Sequence, residues 1–275
     1  TDRTSAIAEG IASDKDLTKQ LLAAAGVPVP EGRAVASAED AWDAAEDIGL
    51  PVAVKPSDGN HARGVSLNLK TRDEVMSAFT AAQQEGSEVL VERFIPGQEH
   101  RLLVVGDQVV AATRGEIIRV SGDGRSSIGQ LIDAHVNTDP RRGVEEHLPL
   151  ETLRHDDPVL LLLLQRQGLA IDSVLPRGES AVVQRTGNMS IDVTGQVHPD
   201  VAELVALATR VVGLDIAGID LVAEDIGQPL AAQGGAIVEV NAGPGLLMHL
   251  KPAIGRAQPV GDAIVNHLFP AGATG

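Results

Sequence analysis

The sequence predicts an α+β fold, because segments with helical spacing alternate with short β-branched runs along its 275 residues. Helix starts are indicated by two pairs with the spacing of capping boxes, Ser37 with Asp40 and Thr71 with Glu74. Apolar runs such as 236–240 indicate strands. The length suffices for one large domain or two closely associated lobes with a substantial core, and no internal repeat is present.

The N-terminal part predicts three helices. Ser13 precedes the segment 14–25, whose leucines recur at helical spacing, and Gly26 ends it. The two capping pairs begin the second and third helices, which end at Gly49 and Gly86.

Two strands are predicted between the second and third helices, at 52–54 and 65–69. The stretch containing Gly59, Asn60 and Gly64 therefore joins two strands. A dinucleotide-binding βαβ unit would instead place its glycine loop between a strand and a helix.

The rest of the chain predicts a mostly antiparallel sheet with an insertion. Gly106 and Asp107 have the composition of a hairpin turn. We divide the chain into an N-terminal lobe, 1–90, and a C-terminal lobe, 91–275, with a helical insertion at about 122–178. The predicted strands are 88–93, 101–105, 109–113, 117–120, 217–222 and 236–240, and the predicted helices are 128–136, 158–167, 201–212 and 260–268.

Composition excludes several classes of protein. The formal charge of −16, from 38 acidic and 22 basic residues, opposes general nucleic-acid binding, and the scarcity of aromatic residues leaves no platform for stacking bases. The absence of cysteine excludes disulfides and thiolate zinc sites. The longest apolar run, 159–164, reads as a buried helix segment and is far shorter than the roughly 20 residues that span a bilayer. We expect no membrane segment and take the cytoplasm as the default location.

Three oxygen-bearing side chains are candidates for a metal site. Glu239 and Asn241 are two residues apart on a predicted strand, so both point to one face, and Asp220 on a neighbouring strand can reach the same place. Carboxylate and amide oxygens are the ligands that Mg²⁺ prefers. The alternative is that Glu239 and Asn241 simply end a strand before an ordinary turn.

A lysine and a glycine loop are candidates for binding phosphate. Lys55 ends the strand 52–54 and precedes Pro56, where its charge could meet phosphates at the mouth of a cleft. The loop 58–64 offers backbone amides that could fold over phosphates. By themselves these features are also consistent with a solvated lysine and an ordinary loop.

Taken together, the sequence resembles the ATP-grasp superfamily and, within it, the ATP-grasp domain of cyanophycin synthetases, over nearly the whole chain. The resemblance rests on long segments: IASDKDLTKQLLAAAGVPVPEG, VAVKPSDGNHARGVSLNL, VERFIPGQEHRLLVVGDQVVAA, NTDPRRG, QRQGLAIDSVLPRG, IDVTGQVHP, AGIDLV, GGAIVEVNAGPGLLMHL and VGDAIVNHLFPAG.

The resemblance implies an ATP-grasp fold whose two α/β lobes clamp ATP, with residues in distinct roles. Lys15 and Lys55 are expected to contact the phosphates. The loop that would cover the phosphates includes Ser57, Gly59 and Gly64. The remaining implied positions are Glu92, Phe94 and Ile95 at the adenine-side hinge, Glu99 on the ribose, and Asp220, Glu239 and Asn241 on magnesium.

The resemblance also implies a carboxylate–amine ligase that uses ATP and Mg²⁺. A carboxylate attacks the γ-phosphate to give an acyl phosphate, which an amine then displaces. Arg101 is expected to hold the carboxylate or to stabilise the oxyanion. His61 is expected to act as general base, since imidazole titrates near neutral pH. The alternative for His61 is that it only shapes its loop.

The implied reaction adds L-aspartate to the C-terminus of a polyaspartate or cyanophycin chain. Expected partners are that aspartyl primer, the N-terminal and Mur-ligase-like domains of the parent enzyme, and further copies in a homo-oligomer. Two alternatives stay open: a related amino-acid ligase of the glutathione-synthesis type, and a nucleotide-binding module that needs the missing domains for turnover.

One segment departs from the family pattern. Asn188, Met189 and Ser190 lead directly into Ile191, without the glycine pair that the family has before its DVT element. This shortened loop at 186–191 indicates a different acceptor, impaired activity, or a sequence that omits residues there.

Overall fold

The computed structural model describes residues 4–57, 64–143, 148, 150–185 and 189–270. Within these residues the chain forms mixed α and β structure, as predicted. The strands are β1 (Gly32–Val35), β2 (Val52–Pro56), β3 (Ser66–Leu69), β4 (Val89–Arg93), β5 (Gln98–Val105), β6 (Gln108–Gly115), β7 (Ile118–Ser121), β8 (Arg142–Gly143), β9 (Leu150–Glu151), β10 (Ser180–Gln184), β11 (Met189–Asp192), β12 (Ile216–Ala223) and β13 (Ala236–Ala242). The helices are α1 (Ala6–Ser13), α2 (Lys15–Ala24), α3 (Ala38–Ile48), α4 (Arg72–Gln83), α5 (Ile128–His135), α6 (Pro158–Gln165), α7 (Pro199–Val212), α8 (Leu230–Gln233), α9 (Leu247–Leu250) and α10 (Val260–Leu268).

The chain folds into two compact units that are interleaved in sequence. Unit 1 comprises Thr1–Glu31, Ile95–Gly115 and Met189–Gly275, and unit 2 comprises Gly32–Phe94 and Glu116–Asn188. The predicted lobes are each continuous in sequence, so their ranges do not coincide with these units.

Unit 1 is built on a sheet with strand order β11-β6-β5-β12-β13, called sheet B here. Its strand pairs are antiparallel, so successive residues of a strand point to opposite faces. Leu102 and Val104 of β5 join a core with residues of α1, α2 and α7. Leu103 and Val105 point to the other face, where they pack with Val260 of α10. Helices therefore bury part of both faces.

Unit 2 contains a second antiparallel sheet with strand order β1-β4-β2-β3, called sheet A here. Val52, Val54, Val89 and Val91 point to one face and pack against apolar residues of α3 and α4. The segment predicted as an insertion on the second lobe belongs to this unit. Its Arg166 donates hydrogen bonds to the carbonyls of Leu67 and Asn68 beside β3.

Local sequence signals place most elements well. Helix α10 spans the predicted residues, α7 ends at Gly213 with a left-handed φ of 84°, and Thr71 with Glu74 forms the predicted capping box. The predicted glycine loop follows β2, which pairs with β3. The apolar run 159–164 lies in α6, as expected.

Two predicted helix starts differ in detail. Ser13 ends the unpredicted helix α1, and Asp14 caps α2 by accepting a hydrogen bond from the amide of Leu17. At α3, Ser37 caps as predicted, but the carboxylate of Asp40 accepts from the amide of Ala36. None of the helices in the described part of the chain is long and apolar enough to cross a membrane.

Candidate functional site

A row of polar side chains crosses sheet B. Strand register places Asp192 opposite Thr113, Thr113 opposite Arg101, Arg101 opposite Asp220, and Asp220 opposite Glu239. Directly opposed residues of antiparallel strands share a face and are near neighbours. These five residues, one from each strand, are called the polar row here.

Arg101 and Asp220 form the centre of the polar row. The carboxylate of Asp220 accepts hydrogen bonds from Nε and, at 2.7 Å, from Nη2 of Arg101. Their side chains are only 17% and 6% exposed. Burial alone would lower the pKa of Arg101, but the charge and hydrogen bonds of Asp220 outweigh it and raise that pKa. The pair is therefore a buried, bidentate, charge-assisted contact.

The other predicted magnesium ligands lie beside this pair. Asn241 donates from Nδ2 to Oδ2 of Asp220 at 3.2 Å and to the carbonyl of Gly218 at 3.4 Å. Both bonds use the amide nitrogen, so neither engages the amide oxygen. The carboxylate of Glu239 lies 3.4 Å from Nζ of Lys15. The structure thus brings Asp220, Glu239 and Asn241 together.

The donor set fits magnesium in its chemistry. Two carboxylates and one amide oxygen on one face are hard oxygen ligands, and Mg²⁺ is usually held by one or two carboxylates together with phosphates and water. Within the described residues no group of three or more His, Cys, Asp or Glu side chains could hold a metal ion. Phosphate oxygens and water would have to complete the coordination shell of a magnesium ion held by these side chains.

Lys15 approaches Glu239 from helix α2. A cavity of about 10 Å³, room for roughly one water molecule, is lined by residues of α2 and β13 that include Lys15, Lys19 and Glu239. The side chain of Lys15 is 13% exposed. A lysine charge therefore lies beside the proposed magnesium ligands.

Lys55 and Glu92 form a second buried ion pair, in unit 2. Lys55 Nζ lies 2.9 Å from Oε2 of Glu92, and their side chains are 14% and 5% exposed. Val54 and Val91 face α3 and α4, so Lys55 and Glu92 project from the opposite face of sheet A. A predicted phosphate-binding residue and a predicted hinge residue are thus direct neighbours.

The other predicted nucleotide residues lie along or beside these strands. Ser57 donates its amide to the carbonyl of Glu88, and Phe94 donates its amide to that of Pro51. The chain passes from unit 2 to unit 1 between Phe94 and Ile95, inside the predicted hinge.

Glu99, predicted to contact the ribose, lies opposite Val222 on sheet B. It precedes Arg101 by two residues on β5, so both point to the same face. Gly64 has a left-handed φ of 69° at the end of the glycine loop. His61 and Gly59 lie outside the described residues, and the roles predicted for them stay predictions.

Sequence reasoning did not select Thr113, Asp192 or His249 as site residues. Thr113 is completely buried beside Arg101, and Asp192 accepts hydrogen bonds from Thr194 and Gln258. Each lies in or near a segment that the sequence analysis discussed, but the local sequence signals did not show which strands would be adjacent. Strand register alone brings Thr113 and Asp192 to the polar row, whereas His249 lies on α9.

Comparison with known proteins gives consistent matches. Residues 14–129 match a family model described as the carbamoyl-phosphate synthase L chain, ATP binding domain. A cyanophycin synthetase of Trichormus variabilis is 40% identical over 276 residues, which cover 98% of this chain and 30% of that protein. The glutathione biosynthesis bifunctional protein GshAB of Listeria innocua is 34% identical over 267 residues, covering 93% of this chain and 34% of that protein.

Solved structures match as well. A bifunctional glutathione synthetase from Pasteurella multocida has a TM-score of 0.59 and 29% identity, covering 98% of this chain and 38% of that one. The ATP-grasp ligase PsnB, complexed with a minimal precursor, has a TM-score of 0.51 at 16% identity, covering 96% of this chain and 64% of that one, which shows a shared fold.

The fold and these matches define the class: the chain has the ATP-grasp fold and is similar over nearly its whole length to ligases of that class. A domain of this class binds ATP. Within the class, the chain is similar to the ATP-grasp part of cyanophycin synthetases. It spans about 30% of the length of these relatives.

Proposed function

We propose that this domain joins a carboxylate to an amine with cleavage of ATP, and that it adds L-aspartate to the C-terminal carboxylate of a polyaspartate or cyanophycin chain. The observation that carries the proposal is the Arg101–Asp220 pair with Glu239 and Asn241 beside it. This arrangement combines a guanidinium group for a substrate oxyanion with oxygen ligands for a divalent cation.

In the first step, a carboxylate oxygen of the primer attacks the γ-phosphorus of ATP, and the bond to the β,γ-bridging oxygen breaks. The products are an acyl phosphate and ADP. Arg101 uses Nε and Nη2 on Asp220, so Nη1 is the part of its guanidinium available to the primer carboxylate. Lys15 and Lys55 would neutralise phosphate charge.

Asp220, Glu239 and Asn241 would hold magnesium, which when bound screens the negative charge of the transferring phosphoryl group. In the structure the two carboxylates are balanced by Arg101 and Lys15. A divalent cation bound at these carboxylates would add positive charge, which the phosphates of ATP would compensate. Metal and nucleotide are therefore expected to bind together.

In the second step, the amine nitrogen of L-aspartate attacks the acyl carbon. The bond from that carbon to the phosphate oxygen breaks, inorganic phosphate leaves, and the nitrogen loses a proton. His61 is the proposed acceptor of that proton, since a neutral imidazole can serve as a base near neutral pH. Arg101 would also stabilise the oxyanion of the tetrahedral intermediate.

The choice of substrate rests on similarity to cyanophycin synthetases. The similarity to glutathione biosynthesis proteins favours a second candidate, a ligase of the same mechanism with another amino-acid acceptor. Because the chain spans about 30% of its curated relatives, a third candidate is a nucleotide-binding module that needs further domains for turnover.

Phosphate release by the purified domain tests the proposal. We expect release from ATP and Mg²⁺ only when an aspartyl peptide and L-aspartate are both present, with a peptide product one aspartate heavier by mass spectrometry. Turnover with other amino acids but not with aspartate would support the second candidate. ATP binding without turnover under any of these conditions would contradict the proposal and support the third.

A further inference from the structure

His249 is a buried polar residue without a role in the steps above. It lies in the single-turn helix α9 and is only 1% exposed. Neither of its ring nitrogens has a hydrogen-bond partner among the described residues. A buried polar group left unsatisfied costs about 1–3 kcal/mol, so such a group requires an explanation.

The helix that carries His249 lies over the face of sheet B that bears the polar row. Leu246, the residue before α9, packs with Leu103 and Ala111, which project from that face. The carbonyl of His249 accepts from the amide of Gln258 at 2.9 Å, and the side chain of Gln258 binds the carboxylate of Asp192. Helix α9 is thereby tied to the end of the polar row.

A second buried polar group on this face of sheet B also lacks a hydrogen-bond partner. Thr113 is fully buried, and its hydroxyl also has no hydrogen-bond partner among the described residues. Thr113 is the direct neighbour of Arg101 across strands β6 and β5. Burial and the nearby charge of Arg101 lower the pKa of His249 to about 4, so its imidazole is neutral at neutral pH. The hydroxyl of Thr113 is thus next to Arg101 across the strands, and the imidazole of His249 lies near enough to Arg101 to be affected by its charge.

The chemistry of this cluster selects a negatively charged ligand. A carboxylate can accept hydrogen bonds from the hydroxyl of Thr113 and from an N–H of His249, and its charge is opposite to that of Arg101. The amino-acid substrate brings a carboxylate that takes no part in bond formation and must be held while its amine attacks.

We propose that His249 and Thr113, beside the positive charge of Arg101, bind the α-carboxylate of the incoming amino acid. This inference rests on the proposed ligase function and assigns it two further substrate-binding residues. Both ring nitrogens of His249 are closed to solvent here, so binding requires a shift of α9. Gly243, whose φ is 62°, and Gly245 precede that turn and can accommodate such a shift.

Steady-state kinetics of His249→Asn and Thr113→Val test the proposal, with His135→Asn on an exposed turn of α5 as control. We expect the KM for L-aspartate to rise by about tenfold or more, as for loss of a hydrogen bond to a charged group, and the KM for ATP to stay within about twofold. The preference for L-aspartate over its α-amide should shrink in the two variants and not in the control. A folded His249→Asn enzyme with wild-type KM and wild-type preference would overturn the proposal.

A binding measurement on the wild-type protein tests the proposal even if the variants do not fold. It also separates the proposed carboxylate site from the proposed ligation. We expect L-aspartate, added with ADP and Mg²⁺, to shift the assigned imidazole ¹⁵N signals of His249 and leave those of His135 unchanged. Unshifted His249 signals at saturating L-aspartate would overturn the inference. Shifted signals in a protein that forms no peptide product would support this site and contradict the proposed ligation.

Discussion

Arg101 and Asp220 lie opposite each other on strands β5 and β12 and share two hydrogen bonds in a site where both side chains are largely buried. A buried ion pair is sensitive to removal of one partner, because the remaining charge is left without compensation. Replacement of both partners by apolar residues is tolerated better. The pair is thus a structural centre of sheet B and the centre of its proposed function.

We expect Arg101→Leu to lower the free energy of unfolding by about 3–5 kcal/mol, the usual consequence of leaving a buried carboxylate unpaired. The double variant Arg101→Leu with Asp220→Leu should lose less stability than either single variant. Urea denaturation of the four proteins measures this cycle. Additive losses of unfolding free energy in the double variant would contradict a coupled pair. In a separate activity assay, all variants carrying Arg101→Leu should lack ligase activity.

Lys55→Met is expected to weaken ATP binding by about tenfold or more, because a charge-assisted contact to phosphate is lost. It should also destabilise unit 2, since Glu92 would keep its buried charge beside an apolar side chain. Isothermal titration with ATP measures the affinity. Lys70→Met, at an exposed position of the same unit, serves as the control, and equal affinities in the two variants would exclude the predicted role of Lys55.

Glu239→Gln should raise the Mg²⁺ concentration needed for half-maximal phosphoryl transfer by about tenfold or more, since an amide is a weaker ligand than a carboxylate for this ion. Phosphate release measured across a magnesium titration gives this value. Glu203→Gln, on an exposed position of α7, should titrate like the wild type. A Glu239→Gln curve that overlays the wild-type curve would remove Glu239 from the metal site.

The buried His100 should make stability depend on pH. It lies on β5 opposite Leu221, and burial lowers its pKa from 6.5 to about 4. Between these values the unfolded chain binds a proton that the folded chain does not, so stability falls as the pH falls from 6.5 towards 4.

Replacement by leucine removes that titration. Between pH 7 and pH 5, the free energy of unfolding should fall by about 2 kcal/mol less in His100→Leu than in the wild type, from the linkage of these two pKa values. Urea denaturation at both pH values measures the difference, and the exposed His135→Leu should behave like the wild type. An unchanged pH dependence in His100→Leu would show that His100 is not the group responsible.

His61→Ala should reduce ligation by about a hundredfold or more, the usual scale for loss of a general base, and leave ATP binding intact. Single-turnover ligation and ATP titration measure the two effects. Unchanged turnover would show that His61 only shapes its loop.

Local signals in the sequence determined much of the fold. Caps, glycine stops and hydrophobic spacing act within a few residues, so α4, α7 and α10 could be predicted from their own segments. Long segments that resemble ATP-grasp proteins also predicted the class of the protein. They gave a set of candidate site residues before the geometry was known: Arg101, Asp220, Glu239 and Asn241. Short elements with weak local signals, such as α1 and α9, were missed.

The tertiary structure alone decided which side chains meet. Thr113 and Asp192 reach the polar row because β6 and β11 pair in one register, and a shift by one residue would turn them to the opposite face. That register depends on packing between segments far apart in sequence, which no local pattern encodes. The burial of His249 over the same face likewise follows from how α9 closes on the sheet, and not from any signal within its four residues.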